Sequence, residues 1–393
     1  MLDIAAASQL SQVQAALGLA PSLALPKWRA AKAKVRNGTA RAKIACVGPS
    51  TMRGLGGGTG AGPSYKTGMI ARSIPTRLAE LLNVKGVPAE QNNAIGSGGY
   101  LADVNTMDPR FVVGANWTEG AFNQGTVGGR YFQHQAASQE TIAFTPLINY
   151  NAFDAYFLKT PTANGSPAEM LVNSVAASTG TFDLNDPAQS LFKKTFTSTD
   201  FASLASPGKL TIAARKAIAQ TNRLCFLGFD AYDTTARKVS VLNLGWGSSS
   251  VTDKVATTPT PGWNHVNALP VVAPDLTIIM DGTNDWWGGK TLAAFEDAYQ
   301  QLITAAKVTG DVVCCTSHPD ARTDGTPVAT QEQFNAIIRR LSLANGCALV
   351  EFDRRMGSYA LGNSLGYYGD FVHLRDIGYL DQAEALASIL AAA

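Results

Sequence analysis

The stretch "IACVGPSTMRGLGGGTG" (Ile44–Gly60) opens on an apolar run, breaks at a turn and then crowds glycines. Two devices share that outline. One is a glycine loop that wraps a phosphate; the other is a sharp strand-to-helix turn that presents a nucleophilic serine. The phosphate loop requires Gly, four residues, then Gly-Lys-Ser/Thr, so that lysine reaches the terminal phosphates. Counted from Gly48, Arg53 and Gly54 stand where that Gly and Lys belong, and the lysine is missing. A dinucleotide loop requires GxGxxG; Gly54 and Gly56 begin one, but Thr59 holds the third position. The serine turn is the better reading.

Its flanks build an α/β unit. "KIACVG" reads as a buried strand ending at Gly48. In "TGMIARSIPTRLAELLNVKG", Ile70, Ile74, Leu78, Leu81 and Leu82 recur at helical spacing and Gly86 closes the run. "VPAEQNNAIGSGGY" follows as a strand and a second glycine loop. From about Asn105 to Arg237 the pattern changes to short alternating runs between turn signals, such as "ETIAFTPL", "FDAYFLKT" and "NRLCFLGFDAY", with Phe226 and Tyr232 placed in its core or rim. Evenly spaced short strands predict an antiparallel β-sandwich or jelly roll. Strand and helix then alternate again through "KVSVLNLGWGSSS", "DLTIIMDGTND", "TLAAFEDAYQQLITAAKVTG", "DVVCCTSHPD", "TQEQFNAIIRRLSLANG", "CALVEFD" and "DIGYLDQAEALASILAAA". That alternation predicts a parallel, doubly wound sheet. The expected organisation is an N-terminal helical and basic arm (1–43), an α/β domain from 44–105 and 236–393, and an inserted β-sandwich (106–235) with a possible carbohydrate-binding role.

Bulk properties fit this plan. A chain of 393 residues exceeds one ordinary core, and 46% apolar with 16% charged residues is a globular composition. A net charge of +2 gives no general case for nucleic acid, and no apolar window is long enough for a membrane span. "MLDIAAASQLSQVQAALGLA" has Asp3 where a secretion signal carries positive charge, so it reads as a short helix, and the compartment stays open. Lys27–Lys43 holds seven basic residues and no acid, read as a solvated arm lying on the domain or as a contact to an anionic partner. Cys46, Cys225, Cys314, Cys315 and Cys347 show no metal-ligand spacing and read as free thiols; no metal or cofactor is expected.

A serine hydroxyl needs a base to take its proton and a third group to orient that base. Of the four histidines, His134, His265, His318 and His373, only His373 lies three residues after an acid, Asp370, in "GDFVHLRDIGY". That spacing lets one turn present a carboxylate and an imidazole together. An oxyanion also needs donors, and "DGTND" places Asn284 at a strand end. His318 ends a neighbouring strand and is read as a loop residue near the site. Trp286 and Trp287 are read as core or as a sugar platform, Tyr367 and Tyr368 as possible pocket walls.

Together "GPST" (Gly48–Thr51), "GTND" (Gly282–Asp285) and "DFVH" (Asp370–His373) resemble the three blocks of the SGNH (GDSL-type) hydrolases. The resemblance covers about residues 40–100 and 236–393 and implies a flavodoxin-like three-layer α/β/α fold. It implies Ser50 as nucleophile, His373 as base, Asp370 as its orienting carboxylate and Asn284 as an oxyanion donor, joined by the Ser50 N–H. Two loops compete for the family's glycine donor: Gly247 or the N–H of Ser248, and alternatively Gly98. The family's usual Gly-Asp-Ser is here Gly-Pro-Ser: Pro49 removes a backbone donor and fixes φ, and it replaces an Asp that the triad does not use directly. The insertion resembles β-sandwich modules of some carbohydrate O-acetylesterases. The expected function is a serine esterase acting on small acyl esters, plausibly on a polysaccharide. An O-acyltransferase with the same triad, or a non-catalytic carbohydrate-binding or structural protein such as a phage-tail component, are the alternatives.

Overall fold

A computed structural model describes residues 24–59, 66–121, 124–161, 165–257 and 261–393. Its frame is a six-stranded, all-parallel sheet in the order Ala348–Val350, Asp311–Cys315, Leu276–Met280, Ala42–Gly48, Val239–Gly245, Ala89–Glu90. Both faces are covered. Along the central strand Ile44 and Cys46 point into one apolar cluster, with side chains of the helices Pro26–Arg36, Ile74–Val84 and Asp376–Ala392. Ala45 and Val47 point into the other, with His265–Val272, Leu292–Lys307 and Gln331–Ala344. The alternation is the two-residue period of a strand, and burial on both faces explains why these strands read as unbroken apolar runs. The helix Ile74–Val84 starts with Pro75 in its first turn, buries Ile74, Leu78 and Leu82, and is followed by Gly86 at φ +75°.

The middle of the chain forms two antiparallel sheets. One runs Val175–Ala176, Ala168–Val172, Ile212–Lys216, Ile142–Phe144, Phe111–Val113; the other runs Leu191–Phe196, Ala152–Leu158, Leu224–Tyr232, Phe132–His134, Trp117–Glu119. Both feed one core rich in phenylalanine, including Phe111, Phe132, Phe144, Phe153, Phe157, Phe226 and Phe229. The reading of "VPAEQNNAIGSGGY" as one strand needs correction. Ala89–Glu90 edges the parallel sheet, whereas Asn93–Ile95 pairs antiparallel with Gly228–Asp230. Asn93–Ile95 therefore belongs to the antiparallel layer.

The basic run is not simply a solvated arm. In the helix Pro26–Arg36 Trp28 is buried; its Nε1 donates to Leu390 O at 2.9 Å and its backbone N to Asp311 Oδ2 at 2.8 Å. Lys32 Nζ donates to Ala391 O and Ala393 O at 2.7 and 2.8 Å, closing the last turn of the C-terminal helix. Lys43 Nζ pairs with Asp154 at 2.9 Å and Arg41 with Asp230, which tie the first parallel strand to the antiparallel layer. Residues 1–23, which include the expected N-terminal helix, lie outside the described residues. The five cysteines are free thiols, and among the described residues no helix is long and apolar enough to cross a membrane.

Candidate active site

In a parallel sheet the carboxyl ends of the strands gather on one rim, and ligands bind there. Register makes this rim level: Gly48 pairs with Gly245, Val47 with Ile279, and Ile279 with Cys314. Ser50, the loop Trp246–Ser250, Asn284 and His318 all emerge beyond it.

Ser50 is the first residue of a one-turn helix, Ser50–Arg53, so its N–H has no intrahelical carbonyl to bond. Trp246 N donates to Gly48 O at 2.9 Å, and a Cβ at Gly245 would lie 2.5 Å from Arg53 N, so glycine lets the two loops meet. Ser50 Oγ stands 2.9 Å from His373 Nε2, and His373 Nδ1 stands 2.8 Å from Asp370 Oδ2. Nδ1 must carry the proton for Asp370 to accept it, which leaves Nε2 free to accept from Ser50. The other Asp370 oxygen accepts from the N–H groups of Val372 and His373 at 2.9 and 2.7 Å. Burial pushes the Asp370 pKa up, but hydrogen bonds and charge from His373, with the two N–H groups, outweigh it and hold the carboxyl below its ordinary range. The structure thus joins all three residues expected from the sequence in one hydrogen-bonded line.

The residues expected as oxyanion donors fare unequally. Asn284 Nδ2 donates to Ser249 O at 2.9 Å, and its Oδ1 accepts from Arg322 Nη1 and Nη2, both at 3.3 Å. Gly247 and Gly98 do not keep free donors: Gly247 N–H bonds to Gly98 O at 2.9 Å and Gly98 N–H to Gly128 O at 3.1 Å. The two glycine loops that competed in sequence are bonded to each other. Of the three loop N–H groups named, only that of Ser248, at φ +59°, has no acceptor among the described residues.

Around this line stand Arg53, which the sequence did not place in the site, and the histidines and aromatic residues it did name. Arg53 is fully buried and donates to Ile95 O, Gly96 O and Gly128 O at 3.1, 2.9 and 3.4 Å, fastening the Ser50 turn to the antiparallel layer. Burial brings its pKa down to about 10 despite the nearby Asp108, Tyr100 and Glu119. His318 is buried beneath the histidine turn, with Nε2 2.8 Å from Val372 O and Nδ1 3.3 Å from Gln382 Nε2. Trp287 stacks under Arg322 and donates to Asp324, while Trp286 packs on the core. Tyr368 is buried and bonds Pro319 O at 2.7 Å rather than walling a pocket, and Tyr367 packs on the core beside the C-terminal helix. His134 lies in the antiparallel core against Trp117, and His265 is stacked with Trp246, both buried.

Residues 226–380 match the GDSL-like Lipase/Acylhydrolase family. Among solved structures, a peptidoglycan O-acetylesterase is similar with a TM-score of 0.65 at 14% identity, covering 92% of this chain and 94% of that one. A family two carbohydrate esterase from Clostridium thermocellum, in complex with cellohexaose, gives 0.30 at 13% identity over 71% of this chain and 97% of that one. An acetyl xylan esterase gives 0.32 at 22% identity over 39% of this chain and 82% of that one. No curated protein sequence matches the chain.

Proposed function

We propose that this chain, whose residues 226–380 match the GDSL-like lipase/acylhydrolase family, is a serine esterase that removes small acyl groups, acetyl above all, from a polysaccharide. The observation that carries the reading is the unbroken line Ser50 Oγ, His373 Nε2, His373 Nδ1, Asp370 Oδ2, with links of 2.9 and 2.8 Å. His373 takes the Ser50 proton as Oγ attacks the ester carbonyl. Asp370 holds the imidazole tautomer and stabilises the imidazolium. The negative oxygen is received by Asn284, the Ser50 N–H and the Ser248 N–H. His373 passes its proton to the leaving sugar oxygen. Water, deprotonated by the same imidazole, then releases the acid and restores Ser50.

The polysaccharide part of the reading rests on the overall likeness to a peptidoglycan O-acetylesterase, which spans 92% of the chain. We take 44–105 and 236–393 as the hydrolase domain, 1–43 as its N-terminal arm and 106–235 as an inserted β-sandwich that holds the polymer near the rim. Acetate release from O-acetylated peptidoglycan and acetylated xylan, with p-nitrophenyl acetate as a simple ester, tests this. The expected result is release from a polymer that Ser50→Ala abolishes. Hydrolysis of long-chain esters in preference to acetate would overturn the substrate assignment.

A further inference from the structure

Asn284 lies between two groups that demand opposite ends of its amide. Ser249 O takes an N–H from Nδ2 at 2.9 Å, and the Arg322 guanidinium faces Oδ1 with both terminal nitrogens at 3.3 Å. Turning the amide over would set Oδ1 against a carbonyl oxygen and the NH2 against a cation, so the orientation is fixed from both sides. The second Nδ2 hydrogen then has no acceptor among the described residues.

Arg322 is itself held. Its Nε bonds both Asp320 oxygens at 3.1 and 2.9 Å, and Nη2 reaches Asp320 Oδ2 at 2.5 Å. Nη2 also reaches Thr283 O and Oγ1 at 3.4 Å, and the Trp287 ring lies 4.6 Å from the guanidinium carbon. Nη1, by contrast, contacts only Asn284 Oδ1 among the described residues. Asp320 offsets charge at Nε and Nη2, so Nη1, bonded to Asn284 Oδ1, is the least compensated nitrogen of the group. A cation on an amide oxygen draws electron density from the nitrogen and strengthens its N–H as a donor.

We infer that Arg322 is a positioning residue for the oxyanion donor Asn284, fixing and polarising its amide so that an N–H is presented to the acyl oxygen. This rests on the esterase reading of the site. The effect belongs to the transition state, where the oxygen becomes an anion, and not to substrate binding.

A double-mutant cycle on p-nitrophenyl acetate tests it, using Arg322→Met, Asn284→Ala and the pair. By analogy with oxyanion donors generally, Asn284→Ala should lower kcat about 100-fold and Arg322→Met about 10-fold, with KM within about 2-fold. In the Asn284→Ala background, Arg322→Met should change kcat less than about 2-fold, since its target is gone. Arg322→Lys keeps the charge without the fork and should fall between wild type and Arg322→Met; it also carries the cycle if the Met variant does not fold. Additive losses in both backgrounds, or a loss confined to KM, overturn the inference while leaving the esterase reading intact. A wild-type chain that neither hydrolyses the ester nor reacts with a fluorophosphonate removes both.

Discussion

His318 Nε2 lies 2.8 Å from the carbonyl oxygen of Val372, the residue that precedes His373. The histidine turn therefore rests on a second, buried histidine. Burial lowers the His318 pKa, so it stays neutral, with Nε2–H as donor and Nδ1 as the acceptor for Gln382. His318→Ala should cost about 1–3 kcal/mol, the price of an unpaired buried carbonyl plus lost packing. Urea unfolding measures that loss. The same variant should lower kcat more than it raises KM, because the base is displaced while the substrate surface is not.

Gly56 makes a different contact with the same turn. It sits at φ +95°, and a Cβ there would lie 2.8 Å from His373 Cβ and 2.6 Å from Leu374 O. Gly56→Ala therefore combines a left-handed backbone penalty of about 1 kcal/mol with a push on His373. Steady-state kinetics should show at least about a 10-fold drop in kcat, since small misplacements of a reacting group carry large rate penalties. Unchanged kcat in a folded variant would show that the turn moves without consequence.

Much of this frame was legible in the sequence, for identifiable reasons. The strands at Ala42–Gly48, Val239–Gly245, Leu276–Met280 and Asp311–Cys315 are buried on both faces, and so appear as continuous apolar runs. Asp370 and His373 share one turn, so their spacing alone displays them. Contacts made across loops left no such trace. Arg322 meets Asn284, and Arg53 meets Gly96 and Gly128, only because different strand ends converge. The strand Asn93–Ile95 finds its partner in Gly228–Asp230, far along the chain, so its layer was hidden. A glycine's N–H looks the same in sequence whether free or bonded, which is why Gly247, Ser248 and Gly98 were separable only once Gly98 O and Gly128 O were located.

Arg53 fastens the Ser50 turn with three carbonyls in a site closed to water. Arg53→Met would remove the guanidinium from all three oxygens, leaving Gly128 O with the Gly98 N–H, and should destabilise the protein by about 1–3 kcal/mol. Arg53→Lys should recover only part, because an ammonium cannot reproduce the planar fork. Thermal unfolding of the two variants ranks them, and equal stability would contradict this account.

Asp285 gives a pH signature. Burial, reinforced by Asp281, pushes its carboxyl up to about 7, although the Val251 N–H bonds both oxygens at 3.1 and 3.0 Å. An unfolded aspartate titrates at about 3.9. Between those values the folded chain holds a proton the unfolded chain lacks, so this group's contribution to stability falls as pH rises from about 4 to 7. Asp285→Asn has no such proton to lose. Its urea midpoint, relative to wild type, should therefore rise between pH 5 and pH 8; a constant difference would show that Asp285 is ionised throughout.

The most direct measurement is mass spectrometry of the intact protein and its peptides after treatment with a fluorophosphonate, which reacts with serines activated by a neighbouring base. This account predicts a single adduct on the peptide containing Ser50, absent from Ser50→Ala and lost in His373→Ala. No adduct on the folded wild type, or an adduct on another serine that survives Ser50→Ala, would contradict it.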